Sequence, residues 1–222
     1  MTTRDFPFRD RRHAGRVLAL QLEHLRDRPG LLVLALPRGG VAVAFEVAHA
    51  LQAPMDVFVV RKLGYPGHEE YAIGAIASGG VQVMNPDLDP RLAPEAIAAV
   101  VRREQGELER RERLYRAQRP PPQLRGRTVL VVDDGLATGS TMRAAVQAVR
   151  QQRPGYLCVA VPVGSREACE LLRREADEVV CATVPVPMRA VGLAYEHFEQ
   201  ATDAEVRQLL AAAQLERTLA TH

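Results

Sequence analysis

Residues 128–149 read TVLVVDDGLATGSTMRAAVQAV, and this stretch decides the fold. The run 128–132 is short, apolar and β-branched, the pattern of a strand buried on both faces. Two acids, Asp133 and Asp134, follow it, then a turn of glycine and small hydroxyl residues, then a helix from about residue 141. In an open α/β sheet ligands gather at the carboxyl ends of the strands, where the next helix offers unpaired N–H groups and the positive end of its dipole. An anion seat is therefore predicted at this crossing. Gly135 and Gly139 let the backbone curl closely around an anion, and the hydroxyls of Thr138, Ser140 and Thr141 can donate to phosphate oxygens. Carboxylates are poor phosphate ligands, but Asp133 and Asp134 accept hydrogen bonds well from a pair of neighbouring hydroxyls. The order of residues thus suggests a sugar diol, then a phosphate. The bland alternative is that the acids cap a turn and the threonines cap the helix.

Working outward, LLVLAL (31–36), MDVFVV (55–60) and YLCVAV (156–161) are further short apolar runs, and helical stretches 41–51, 141–151 and 166–175 follow the first, third and fourth strands. Alternation of this kind predicts βαβ units: an α/β fold with a central, mostly parallel sheet flanked by helices. A helix over 10–27, with Val17, Leu18, Leu22 and Leu25 on its apolar side, leads in. YAIGAIAS and VQVM, separated by Gly79 and Gly80, predict a β-hairpin at an edge or in a flap. From 94 to about 118 runs a charged helix with a narrow apolar stripe at Ile97, Val101, Leu108 and Tyr115. Such a stripe suits an arm docked on its own domain, or a homodimer contact. The division expected is one domain over 1–222, with a flap and helical insertion at 65–120 and a small hood and tail at 183–222.

Bulk composition narrows the function classes. The 222 residues are 47% hydrophobic, enough for a sizeable core, and 29 basic against 27 acidic side chains leave a net charge of +2 with no basic face for nucleic acid. No run is long and apolar enough for a membrane span, and the polar start lacks a secretory signal, so a cytoplasmic protein is expected. Cys158, Cys169 and Cys181 form no C-x-x-C pair and read as reduced, mostly buried thiols. Lys62 is the single lysine in a chain that otherwise uses arginine, which can mark a position needing a compact, flexible ammonium group, or mere chance. GLATGST lacks the lysine of a Walker A loop, G-x-G-x-x-G is missing, and HEEY lacks the second histidine of a helical zinc site.

Four apolar residues, two acids, a short turn and T-G-S-T, matched over 129–141, resemble the motif that binds 5-phosphoribosyl-1-pyrophosphate (PRPP) in type I phosphoribosyltransferases. The resemblance implies that Asp133 and Asp134 hold the ribose, and that Ala137, Thr138, Gly139, Ser140 and Thr141 hold the 5′-phosphate. LALPRGGVAVA places Arg38, Gly39 and Gly40 after the first buried strand. By resemblance this is the pyrophosphate loop, often with a strained peptide, although P-R-G-G is also an ordinary turn. Arg61 and Lys62 follow the second strand, where similar basic pairs in the family face pyrophosphate. Lys62, Arg38 and Asp134 would then lie nearest the reacting bonds. Glu69, Glu70 and Tyr71 fall where the family has a mobile loop, or are simply solvated. VPVPMRAVGLAYEHF resembles the hood of the hypoxanthine-guanine enzymes, implying that Met188, Val191 and Glu196 face the acceptor base. Ala137 stands where those enzymes carry a base-binding aspartate, which sets this chain apart from them.

The expected activity is magnesium-dependent transfer of the phosphoribosyl group from PRPP to a small-molecule nitrogen acceptor, a nucleobase first, with Mg²⁺ entering alongside PRPP rather than in a dedicated protein cage. Two rival readings remain: a regulatory protein that senses PRPP without turnover, and a transferase acting on an amine that is not a base.

Overall fold

The computed structural model describes residues 7–85, 92–116 and 119–220; the expected reach of the charged helix to 118, of the tail to 222 and of the chain start lies partly outside them. The centre is a five-stranded parallel sheet of β1 (Leu32–Ala35), β2 (Met55–Val57), β6 (Thr128–Val132), β7 (Tyr156–Val163) and β8 (Glu178–Thr183), in the order β2-β1-β6-β7-β8. A second sheet of three antiparallel strands comprises β3 (Val60–Tyr65), β4 (His68–Ala77) and β5 (Val81–Met84). Among the described residues six α-helices accompany them: α1 (Arg11–Gln21), α2 (Gly40–Leu51), α3 (Pro94–Arg116), α4 (Ser140–Gln151), α5 (Arg166–Leu172) and α6 (Asp203–Ala220).

Alternation along the central strands sorts side chains to two dry faces. Val33, Ala35, Leu130, Val132, Cys158 and Ala160 pack with α1, α2, α3 and α6, while Leu32, Leu34, Val129, Val131, Leu157 and Val159 pack with α4 and α5. Register pairs Leu34 with Val131 and Ala35 with Val132, so β1 and β6 end at the same level. From β1 the chain proceeds to β2 on one side, and from β6 to β7 and β8 on the other. The carboxyl ends of β1 and β6 therefore flank the point where the winding reverses, the place where open α/β sheets bind ligands.

Three expectations need adjusting. The run 55–60 is not one strand: β2 stops at Val57, the Phe58 N–H still donates to Ala35 O of β1 (2.9 Å), and then the Val59 N–H donates to Ser78 Oγ (2.9 Å) and Val59 O accepts from the Ser78 N–H (2.9 Å), carrying the chain across to the second sheet. Arg61 and Lys62 thus lie on β3, paired with β4, rather than at the end of β2. Glu69 and Glu70, placed by resemblance in a mobile loop, lie on strand β4, which runs on through Tyr71 and the rest of the expected hairpin strand, and Gly79 and Gly80, at φ +86° and +74°, make its turn into β5 as foreseen. The C-terminal tail contains a regular helix, α6, whose Val206 and Leu210 are buried in the main core.

Helix α3 docks on its own domain: Val100, Leu108 and Tyr115 are buried, and Ile97 and Val101 pack against the same core. Its last residue, Arg116, is buried with its Nε 3.0 Å from Asp56 Oδ1 and its Nη1 2.7 Å from Glu112, and it also donates to Val57 O. Removing one partner of such a pair leaves a buried charge without compensation. Asp56→Ala should accordingly lower stability by about 3–5 kcal/mol, read from urea unfolding at pH 7; a change under about 1 kcal/mol would show the pair to be energetically neutral.

Candidate active site

The turn after β1 and the turn after β6 close on each other at the switch point. A Cβ on Gly39 would collide with Asp134 Oδ2 and lie 2.6 Å from its Cγ; one on Gly40 would lie 2.8 Å from both Asp133 Cα and Val132 O. Neither glycine has a positive φ that demands it, so close approach alone excludes a side chain here. The Pro37–Arg38 peptide is cis, Leu36 N donates to Val132 O (2.9 Å), and Gly40 N turns back to Leu36 O (3.1 Å).

Asp134 Oδ2 accepts from Arg11 Nε at 2.8 Å, and its backbone oxygen accepts from Tyr195 Oη at 2.6 Å. The Arg11 guanidinium is itself fixed, 3.9 Å above the Phe198 ring and with Nη1 2.7 Å from Glu199 O. Asp133 Oδ1 accepts from the Asp134 N–H (2.8 Å). Burial, and then the neighbouring charge of Asp134, push the Asp133 carboxyl well above the usual carboxylate range. One acid is thus neutralised by an arginine, and its neighbour is biased toward holding a proton.

Beyond the acids, Gly135 is needed by the hood: a Cβ there would lie 2.5 Å from Val191 Cγ1. Val191 and Met188 pack on a small cluster of Phe8, Ala14, Val163, Ala194 and Tyr195, and the backbone of Phe8 pairs with that of Tyr195 in a strand-like bridge. The hood is therefore built from both ends of the chain. The phosphate-type turn is pinned through Leu136, whose N–H donates to Val163 O (2.9 Å), and through Ala137 O, which accepts from Ser165 Oγ (2.8 Å). Gly139 takes φ +76° immediately before α4, and the first N–H of that helix, on Ser140, lies 3.4 Å from Thr138 Oγ1. Thr138 Oγ1 and Ser140 Oγ stand 3.0 Å apart, and both residues, with Thr141, are exposed.

A cavity of about 430 Å³ separates this turn from the second sheet, and Lys62, Thr138, Ser140, Thr141 and Arg143 line it. The structure thus groups Lys62 with the Thr138–Ser140 side of the site and not with Arg38. Arg61 also borders the cavity, yet its guanidinium is held by Glu104 of α3, at 2.6 and 3.0 Å. Arg38 reaches toward Asp203 at 4.0 Å. Glu69 pairs with Arg103 (2.9 Å), Tyr71 is exposed, and the Glu70 side chain lies outside the described residues. Glu196 is exposed, with its N–H bonded to Phe8 O. Among the described residues no group of three or more His, Cys, Asp or Glu side chains could hold a metal ion, and no helix is long and apolar enough to cross a membrane. Arg11, Tyr195 and Phe198 were missed by sequence reading. The last two sit in the quoted hood stretch as ordinary aromatic residues, and nothing local marks Arg11.

A carboxyl whose folded pKa is raised costs stability at pH values above its ordinary one, because the folded state resists losing the proton the unfolded state gives up. Stability should therefore fall as pH climbs from about 4 through the raised value of Asp133. Asp133→Asn keeps the Oδ1 acceptor and removes the charge, so Tm at pH 7 should rise, by about 2–4 °C per kcal/mol recovered, and the rise should vanish near pH 4 in calorimetry. A lower Tm at pH 7 would show that the ionised form is the stabilising one.

Comparison with known proteins agrees with this architecture. The phosphoribosyl transferase domain family matches residues 15–197. Two Mycobacterium tuberculosis proteins, from strains CDC 1551 / Oshkosh and H37Rv, whose names propose a phosphoribosyl transferase, are each 46% identical over 201 residues, covering 90% of this chain and 45% of theirs. The chain therefore spans about half the length of these curated relatives. Among solved structures, TT1426 from Thermus thermophilus is 45% identical, with a TM-score of 0.83 over 92% of this chain and 98% of that one. The chain belongs to the phosphoribosyl transferase domain family.

Proposed function

We propose that this chain transfers the 5-phosphoribosyl group of PRPP to a nitrogen acceptor, a nucleobase in the first instance, and releases pyrophosphate. The observation that carries the reading is the acid pair Asp133 and Asp134, set at the switch point between the glycine turn 38–40, which closes on it, and the exposed hydroxyl turn 137–141. In this reading the ribose 2′- and 3′-hydroxyls donate to the two carboxylates, the 5′-phosphate lies on the Thr138–Thr141 turn, and pyrophosphate lies against the turn of Arg38, Gly39 and Gly40.

The reaction breaks the bond from ribose C1 to a pyrophosphate oxygen and forms one from C1 to the acceptor nitrogen, which afterwards sheds its proton. Positive charge grows on the ribose ring and negative charge on the departing group. Fixed cations and amides aimed at the latter lower the barrier without reorganising. Arg38 can supply this at its turn once released from Asp203, and Lys62 faces the phosphate across the cavity. Arg61 is a weaker candidate because Glu104 already holds it. Mg²⁺ suits the oxygen donors of the acid pair and of PRPP, and when bound it would offset phosphate charge. A flat, apolar acceptor fits the hood of Met188 and Val191, with exposed Glu196 nearby.

Two measurements test the reading. Incubation with PRPP, Mg²⁺ and a panel of bases and simple amines should release pyrophosphate; PRPP binding by calorimetry with silence across the panel would indicate a sensor, and no PRPP binding would overturn the proposal. Gly39→Ala should displace Asp134 and lower kcat/KM by 100-fold or more, about 2.7 kcal/mol, while the protein stays folded by circular dichroism. An unchanged kcat/KM would remove Asp134 from the site.

A further inference from the structure

The edge of the central sheet opposite the acid pair carries a second cavity, of about 170 Å³. Leu32 and Met55, the first residues of β1 and β2, border it, as does Arg127, immediately before β6. The strands are parallel, so this is their amino-terminal edge, a full strand length from the proposed catalytic crevice. Three arginines line the cavity: Arg119 and Arg127 from the linker between α3 and β6, and Arg217 from α6. They come from distant parts of the sequence and converge on one space.

The carboxylate that shares the cavity is already engaged with α3. This is Asp56, whose Oδ1 accepts from Arg116 Nε (3.0 Å) and from the Val57 N–H (2.7 Å). Arg119 Nε turns to Arg116 O (3.4 Å), and Arg127 donates to Gly30 O (2.9 Å) and Leu31 O (3.4 Å). Carbonyl dipoles orient a guanidinium without neutralising it. Burial first, and then the charge of Arg217, hold the Arg127 pKa below its ordinary value, as expected for a partly buried cation with a like charge nearby.

We propose that this cavity binds a phosphoryl anion, at a site separate from the acid pair. A guanidinium presents paired N–H donors that match two phosphate oxygens, and two or three such groups around a pocket of this size form a receptor for a phosphate or diphosphate group rather than for a diffuse counterion. Binding would relieve the repulsion between Arg127 and Arg217, so it should also stabilise the fold by mass action. The proposal stands on the cavity and its lining, and it does not depend on the transferase reading.

Calorimetric titration of the full chain with inorganic pyrophosphate in 0.15 M NaCl tests it. Two binding equivalents are expected: one removed by Gly39→Ala, and a second removed, or weakened at least tenfold, by Arg217→Glu. Arg217 is exposed, so this variant should fold, and Arg217→Lys should recover part of the affinity. PRPP-dependent pyrophosphate release should stay within twofold in Arg217→Glu, because the residue is remote from the crevice. A parallel titration with ADP separates sources of the group: equal affinity points to the diphosphate alone, and tighter binding to a nucleotide. A single equivalent that Gly39→Ala abolishes, or a second equivalent that survives Arg217→Glu unchanged, would overturn the proposal. Should Gly39→Ala remove nothing while Arg217→Glu removes one, the arginine site stands and the catalytic reading is the one that fails.

Discussion

The contact between two glycines and two aspartates constrains everything around it. Strands β1 and β6 are buried on both faces and paired in register to their last residues, so their following turns must emerge side by side. Any Cβ at position 39 would occupy the space of the Asp134 carboxylate, and any at 40 would meet Asp133 and Val132. The hydrophobic sheet therefore does more than stabilise the domain, since its register sets how closely a glycine turn and an acid pair approach each other. Polar groups brought together in this way sit at the rim of a dry core, where electrostatic interactions are stronger than in water.

Placing two carboxylates at such a rim is costly, and the way the cost is met explains the odd assembly of the hood. A desolvated charge persists when it is paired or protonated. Arg11 pairs with Asp134, Phe198 and the Glu199 carbonyl hold Arg11, and Tyr195 ties the Asp134 backbone to the same C-terminal segment. Phe8 joins that segment by its strand-like bridge. Both ends of the chain thus converge on one carboxylate. Asp133, with no cation of its own, takes the other course and is biased toward its neutral form. The pair is thus unequal, and hydroxyl donors or a cation brought to it would favour the second charge.

What could be read from the sequence follows from how local each signal is. The strand, the acids, the turn and helix α4 are contiguous, and each obeys a short-range rule, so residues 128–151 were legible almost to the residue. The close approach of Gly39 to Asp134 was not, because it joins positions 95 apart in sequence; resemblance marked the glycines as part of an anion loop, and the structure shows them needed for their missing side chains. Strand β8 has intermediate burial and polar ends, giving no clean period, and it escaped notice. The break after Val57 was hidden inside an unbroken apolar run, where only the bonds between Val59 and Ser78 reveal the change of sheet. Arg11 could not be found at all, since one more arginine in an arginine-rich chain carries no signal until the fold brings it to Asp134.

That same break gives the lone lysine its setting. Because the chain leaves the central sheet after residue 58, Arg61 and Lys62 ride on a separate sheet and point to opposite sides of β3. The side facing α3 needs a partner for buried Glu104, and the planar fork of Arg61 supplies it through two hydrogen bonds to one oxygen. The other side borders the cavity that the exposed hydroxyls of Thr138 and Ser140 also line. A guanidinium there would present a rigid plane to a target whose distance depends on how the second sheet rests on α4. An ammonium on a four-carbon stem can follow an anion over that range, and it keeps three donors whichever way it turns. Adjacent residues of the same charge are thus divided by strand geometry between a structural task and, in the proposed reaction, an electrostatic one.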